Sequence, residues 1–255
     1  MIDERAIIDP SAKVEAGVTV GPWSIVGPNV EIGAGTTIGP HVVIKSSTRI
    51  GRNNKIYQYA SIGEDPQHAD YQDEETFLHI GDNNVIREFC TFNRGTAKGG
   101  GVTSVGDNNF FMSYVHVAHD CKVANHTIFV NNASIGGHVI VENHAYIGAF
   151  VGIHQFCSIG AHSFLTATMI GKDVPPYVMV TGNTAEVCGL NMVGLKRRGF
   201  NSETITMLRR AYNILFRQGL NVKQALSELE KMVLDCPEVQ LFIDAINNSS
   251  RGLVR

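Results

Sequence analysis

The sequence has no long apolar run, no paired-cysteine motif and no excess of one charge. No stretch approaches the roughly 18 consecutive apolar residues of a membrane-spanning helix. Charged residues are only 18% of the 255, with a formal net charge of −3. That argues against a global polybasic surface for nucleic acid or an anionic membrane. Residues 1–14 carry acids and lack the apolar stretch of a secretory signal, so none is expected. The five cysteines (Cys90, Cys121, Cys157, Cys188 and Cys236) form no CxxC pair and are odd in number. Reduced thiols in a cytoplasmic protein fit this better than a disulfide framework.

What is present is a period. Stepping by six from Ile8 gives an apolar residue every time as far as Ile62. A second tract runs Ile80, Ile86, Phe92, and a third runs by sixes from Val105 to Leu165. At 44% apolar composition, chance yields such a run on the order of a few times in a billion. Glycine often follows the apolar anchor (Gly21, Gly33, Gly51, Gly136). A small or β-branched residue comes four positions after it (Ser24, Thr36, Ala60, Ala133). A six-residue period is wrong for a helical face and too short for a βαβ unit. It predicts a parallel β-helix of hexapeptide repeats: three short strands per triangular coil, about eight coils in all. The glycines are expected to supply unusual backbone angles at the corners. Cys90, Cys121 and Cys157 share the fourth position, which places them inside as small hydrophobes.

Two insertions, roughly residues 64–79 and 94–104, break the phase and are expected to project as loops, where function often sits. The prism is expected over residues 1–185 and a helical domain over 186–255. Asn201 or Ser202 would cap a helix to about Gln218, with Gly219 as its stop. Asn221 would cap a second, to about Leu234, and Pro237 would open a third, to about Asn247.

Residues eighteen apart should share a corner. That stacks His119, Gly137 and Gln155. It also stacks Asp120, His138 and Phe156, with Ala118, Gly136 and His154 alongside. His119 beside Asp120 reads as a base with an orienting carboxylate, and Gly137 offers an unhindered N–H for an oxyanion. His116, His119 and His138 are also a conceivable zinc set. His41, His79, His126, His144 and His162 read as solvated corner residues. The run Lys196-Arg197-Arg198 reads either as a surface patch or as a phosphate clamp.

Larger motifs carry a resemblance over nearly the whole chain. These are VHVAHDC (115–121), NNASIGGHV (131–139), VGIHQFCSIGAH (151–162), DVPPYV (173–178), GLKRRGF (194–200) and the terminal SRGLVR. Together they resemble the UDP-N-acetylglucosamine acyltransferase family of lipid A biosynthesis. The resemblance implies a left-handed helix and a homotrimer with active sites between prisms. It implies an (R)-3-hydroxyacyl donor on acyl carrier protein and the 3-hydroxyl of UDP-N-acetylglucosamine as acceptor. No cofactor or metal is implied beyond the carrier's phosphopantetheine.

By the same motifs His119 is the general base, Asp120 its orienting partner and Gly137 the oxyanion donor. His116, His138, His154 and Gln155 would position sugar and donor, with Gln67, His68 and Asn93 beside them. Asn191, Arg197 and Arg198 would hold the nucleotide. The acyl ruler would fall near Met112, Phe164, Ala167 and Thr184. The chain departs from the family at His68, where an acid is usual, at Asp70, where Lys is usual, and at Asn93, where His is usual. Those departures leave a 3-amino sugar open as the acceptor. An acetyl-CoA-dependent acetyltransferase, a trimeric zinc hydratase on the same prism and a non-enzymatic binding prism are the other readings.

Overall fold

A computed structural model describes all 255 residues. The hexapeptide period becomes a triangular prism of short parallel strands, most of them two residues long. Away from the insertions each strand pairs with the one eighteen residues on, as in Thr19↔Thr37 and Val20↔Ile38; across the insertions the spacing grows, as in Ile62↔Phe92 and Ile86↔Phe111. We number the faces in the order the chain visits them. The first holds Ile25–Val26, the second Glu31–Ile32 and the third Thr37–Ile38. Every anchor from Val20 to Leu165 is buried, while Ile8 and Val14, in the outermost coil, are half-buried. Each buried Val, Ile or Phe contributes about 1.5–3 kcal/mol relative to exposure. The stack is therefore held by one repeated contribution.

The corners do not work as the glycine pattern led us to expect. The left-handed residue is the third after the anchor, and it is seldom glycine: Trp23 (φ 57°), His41 (56°), Asn53 (54°), Asp120 (60°), His138 (60°). Asn, Asp and His tolerate this region best. The bulky aromatics there stack along one edge, with Trp23, His41, Tyr59, Phe89 and Tyr114 spaced 4.8–5.3 Å apart. The glycine directly after the anchor serves close packing instead. A Cβ on Gly21 would lie 2.7 Å from the backbone N of Pro40 in the next coil. Between the two sits a residue whose N–H makes no backbone hydrogen bond, which is why Pro22, Pro28 and Pro40 are accommodated there.

Both insertions leave the edge between the first and second faces. They are shorter than their expected bounds, because Phe77–His79 and Val102–Ser104 are strand residues paired in register. The first loop is held down by Arg94, whose side chain is only 8% exposed. Arg94 donates to Gly63 O (2.8 Å) and Tyr71 Oη (2.9 Å) and pairs with Asp65.

The last parallel strand of the prism ends at Gly182, close to the expected boundary. Strand Phe164–Ile170 turns a corner one residue short, so that Ile153 pairs with Ile170. Val178–Gly182 stacks parallel on it, and Glu186–Leu190 folds back antiparallel. The helices begin only then: α1 Met192–Arg197, α2 Ser202–Phe216, α3 Val222–Met232 and α4 Gln240–Asn248. Asn201 caps α2, and Asn221 with Gln224 forms a capping box on α3. The short α1, which carries the basic run, had no forecast. The helical core is continuous with the prism's. Tyr177 joins them, its hydroxyl donating to Glu238 O (3.0 Å) and its ring packed on Phe242. The end of the repeat array is thereby covered.

Candidate active site

Residues 118–121, 136–139 and 154–157 occupy three successive coils of the edge that carries both insertions. His119 and Asp120 are both buried, at 7% and 4% exposure. His119 Nδ1 lies 2.8 Å from Asp120 Oδ2. Asp120 also accepts from the Thr96 N–H (2.8 Å) and the Thr96 hydroxyl (2.7 Å). An ionised carboxylate only accepts. The His119 proton therefore belongs on Nδ1, leaving the Nε2 lone pair for a ligand. Gly137 sits over this ring, and its N–H has no backbone partner.

The other imidazoles gather around this pair. His138 Nε2 is 3.6 Å from Asp120 Oδ2, and its ring stacks on Phe156 at 4.5 Å. His116 Nδ1 is 2.8 Å from Thr91 Oγ1. Burial lowers the proton affinity of both His116 and His138; the nearby Asp120 partly offsets this at His138. His68, on the first loop, meets His119 edge-on at 5.3 Å. Gln67, His68, His154 and Gln155 are exposed around the rim.

Asn93 is a different case. It is 2% exposed, its amide donates to Asp65 O (2.6 Å), and its Oδ1 is fully buried without a partner. It braces the loop that carries Gln67 and His68. Its carbonyl oxygen is therefore turned away from the open rim of the site.

His119, Asp120 and His138 bring one potential metal-ligating atom each within 4.8 Å of one another. The expected zinc set had His116 in place of Asp120, but His116 Nδ1 is engaged by Thr91. Three of Asp120's roughly four acceptor positions are already filled by hydrogen bonds. The arrangement suits an oriented base better than a metal ligand. Burial pushes the Cys90 and Cys121 thiols up to about 12, so neither is a nucleophile.

The remaining candidates lie on other parts of the prism. Asn191, Arg197 and Arg198 line a cavity of about 550 Å³ over the third face, together with Ile128, Tyr146, Phe164 and Met179. Asn191 caps α1 and donates to His162 O (2.9 Å). Arg198 donates to His144 O (2.8 Å). Phe164 stacks on Tyr146 at 4.6 Å and so belongs to this cavity. Met112 and Ala167 lie at the edge between the third and first faces, and Thr184 lies in the terminal hairpin. Of the five bland histidines, His41, His126, His144 and His162 are indeed at corners. His79 is a strand residue, and His162 is packed between Tyr177 and Phe200.

Thr96, Arg94 and Tyr146 went unremarked in the sequence. Tyr146 was within reach, since it lies eighteen residues before Phe164. Thr96 was not, because the insertion that carries it breaks the period.

Comparisons with known proteins agree with this architecture. Residues 11–46 and 103–137 match the bacterial transferase hexapeptide family, and residues 173–254 match the second domain of UDP-N-acetylglucosamine O-acyltransferase. Relatives named acyl-[acyl-carrier-protein]–UDP-N-acetylglucosamine O-acyltransferase include one from Pseudomonas entomophila. It is 54% identical over 255 residues, covering 100% of this chain and 99% of the relative. The Pseudomonas aeruginosa protein of that name is 52% identical, with the same coverage. Among solved structures, the Moraxella catarrhalis UDP-N-acetylglucosamine O-acyltransferase superposes with a TM-score of 0.98 at 48% identity, covering 100% of this chain and 99% of that one. The Francisella novicida UDP-N-acetylglucosamine acyltransferase also gives 0.98, at 44% identity, covering 100% and 94%. Fold, motifs and full-length identity converge: this chain belongs to the UDP-N-acetylglucosamine acyltransferase family.

Proposed function

We propose that the protein transfers an (R)-3-hydroxyacyl chain from acyl carrier protein to the 3-hydroxyl of UDP-N-acetylglucosamine, the first step of lipid A biosynthesis. The observation that carries the mechanism is the buried His119–Asp120 pair beside the unpaired Gly137 N–H. His119 Nε2 takes the proton of the sugar hydroxyl as its oxygen attacks the thioester carbonyl. The imidazolium is held by Asp120. The tetrahedral oxyanion accepts from the Gly137 N–H. Collapse breaks the C–S bond, and the phosphopantetheine thiolate recovers the proton from His119. A positioned base contributes roughly 10²- to 10⁴-fold, and one oxyanion donor roughly 10²- to 10³-fold. Thiolate is a good leaving group, so no cofactor is required.

The cavity over the third face suits the nucleotide. Arg197 and Arg198 match a diphosphate, and Tyr146 with Phe164 gives an apolar wall for the base. His116, His138, His154 and Gln155 would position sugar and donor. Within one chain the base and the clamp lie on different parts of the prism. A homotrimer that apposes the base edge of one copy to the third face of the next supplies both to one ligand. Five free cysteines, and no helix long and apolar enough to cross a membrane, are compatible with the cytoplasm.

Product mass spectrometry with mixed hydroxyacyl carrier proteins, acetyl-CoA and UDP-sugars tests the reading. An ester of UDP-N-acetylglucosamine formed from the carrier-bound donor is expected. Acetyl transfer alone, or turnover that depends on added zinc, would overturn it.

A further inference from the structure

The second insertion does more than roof the site. Its residues Ala97–Gly99 form a single helical turn capped by Thr96, whose Oγ1 accepts from Gly99 N–H at 3.0 Å. That bond occupies an oxygen lone pair and directs the hydroxyl proton elsewhere. The other neighbour at hydrogen-bond distance is Asp120 Oδ2, 2.7 Å away, and the Thr96 N–H reaches Asp120 Oδ1 at 2.8 Å. Oδ2 is also the oxygen that faces His119 Nδ1. A directed chain results: Gly99 N–H to Thr96 O–H to Asp120, with His119 N–H entering from the other side. Gly99 is pressed against the carboxylate so closely that a Cβ there would overlap Asp120 Cγ and both oxygens. Asp120's own N–H is taken by Thr103 Oγ1 at 2.7 Å. The carboxylate side chain is 1% exposed, so water cannot replace these donors.

We infer that Thr96 is a positioning residue of the acyl-transfer reaction: it fixes the Asp120 carboxylate and, through it, the tautomer and aim of His119. Three donors on one buried carboxylate hold it in a single rotamer. Without the hydroxyl, Oδ2 would keep His119 as its one hydrogen-bond donor, with His138 Nε2 farther off at 3.6 Å, and the imidazole would lose its fixed direction. Thr96 is buried with its hydroxyl engaged by Asp120 and Gly99, so its contribution belongs to turnover and not to binding. The second insertion is therefore the support of the base, while the first, with His68, is its cover.

This inference rests on His119 acting as the base, and variants at Thr96, Asp120 and His119 separate the two claims. Thr96→Val keeps the volume and the backbone N–H but removes the hydroxyl. It is expected to lower kcat roughly 10-fold with the KM of both substrates within about twofold. Thr96→Ser restores the hydroxyl and is expected to recover most of kcat. In the background of Asp120→Asn, Thr96→Val is expected to cost much less than it does alone, because the two act as one unit. Thermal unfolding of each variant controls for loss of fold. A near-native kcat for Thr96→Val, full additivity with Asp120→Asn, or a serine variant no better than valine would overturn the proposal. An active His119→Ala would instead overturn the reading beneath it.

Discussion

The His119 ring lies flat against Gly137, so that a Cβ at residue 137 would come within 2.5 Å of His119 Cε1 and 2.8 Å of Nε2. The proposed oxyanion donor and base thus occupy adjacent coils with nothing between them. The absence of a side chain at 137 is what permits both.

Gly137→Ala should therefore push the imidazole off its line with Asp120. Its φ is not left-handed, so the backbone tolerates alanine and the effect is confined to the ring. A loss of at least about 10²-fold in kcat is expected, with the fold intact by circular dichroism. Activity within a few fold of wild type would remove Gly137 from the mechanism.

Arg198→Ala should act on binding. Its guanidinium reaches the third-face cavity while donating to His144 O. A rise of at least about tenfold in the KM for UDP-N-acetylglucosamine is expected, with a smaller change in kcat, since phosphate contacts persist from ground state to transition state. Calorimetry with UDP alone should show the same loss. An unchanged UDP affinity would move the nucleotide elsewhere.

Chain length should be set around Ala167, which is exposed at its corner with φ 48°. Small side chains at 167 and 184 leave room for donors of about 12–14 carbons, each buried methylene giving about 0.8 kcal/mol. Ala167→Met should shift the preference of competing donors towards shorter chains. If the product ratio does not move, the acyl tail lies along another path.

His162 should make the junction with the helices sensitive to acid. Burial, then His144 and Arg198, holds it at about 4 against an ordinary 6.5, and its Nδ1 has no partner. The unfolded chain takes up this proton first, so the stability it contributes above pH 6.5 is lost as pH falls towards 4. His162→Phe keeps the stack with Tyr177 and Phe200 but cannot charge. Its Tm should fall less than that of wild type between pH 7 and pH 4.5. Parallel curves would show that His162 does not titrate across this range.

The columns were legible before any coordinates, because a six-residue period fixes both burial and angular position. His119, Gly137 and Asp120 could be placed on one edge by counting. What the glycines do at the corners could not be read that way. Close approach and left-handed backbone both favour glycine, and only the packed coils show that Gly21 serves the first while Trp23 adopts the second. The surroundings of Asn93 were out of reach for a similar reason. The polar type was visible, but not that its amide is engaged by the loop backbone and its carbonyl is sealed.

The sequence alone determined the prism, its core and the row of candidate catalytic groups, because those depend on a local pattern repeated in register. The tertiary structure decided what the aperiodic segments do. Thr96 reaches Asp120 across 24 residues, and Arg94 holds a loop that begins 29 residues earlier. The bend after Leu165 and the antiparallel return at Glu186–Leu190 place Arg197 and Arg198 over the third face, away from His119. No spacing rule governs such contacts. They follow from where an insertion can fold once the rigid coils are already stacked.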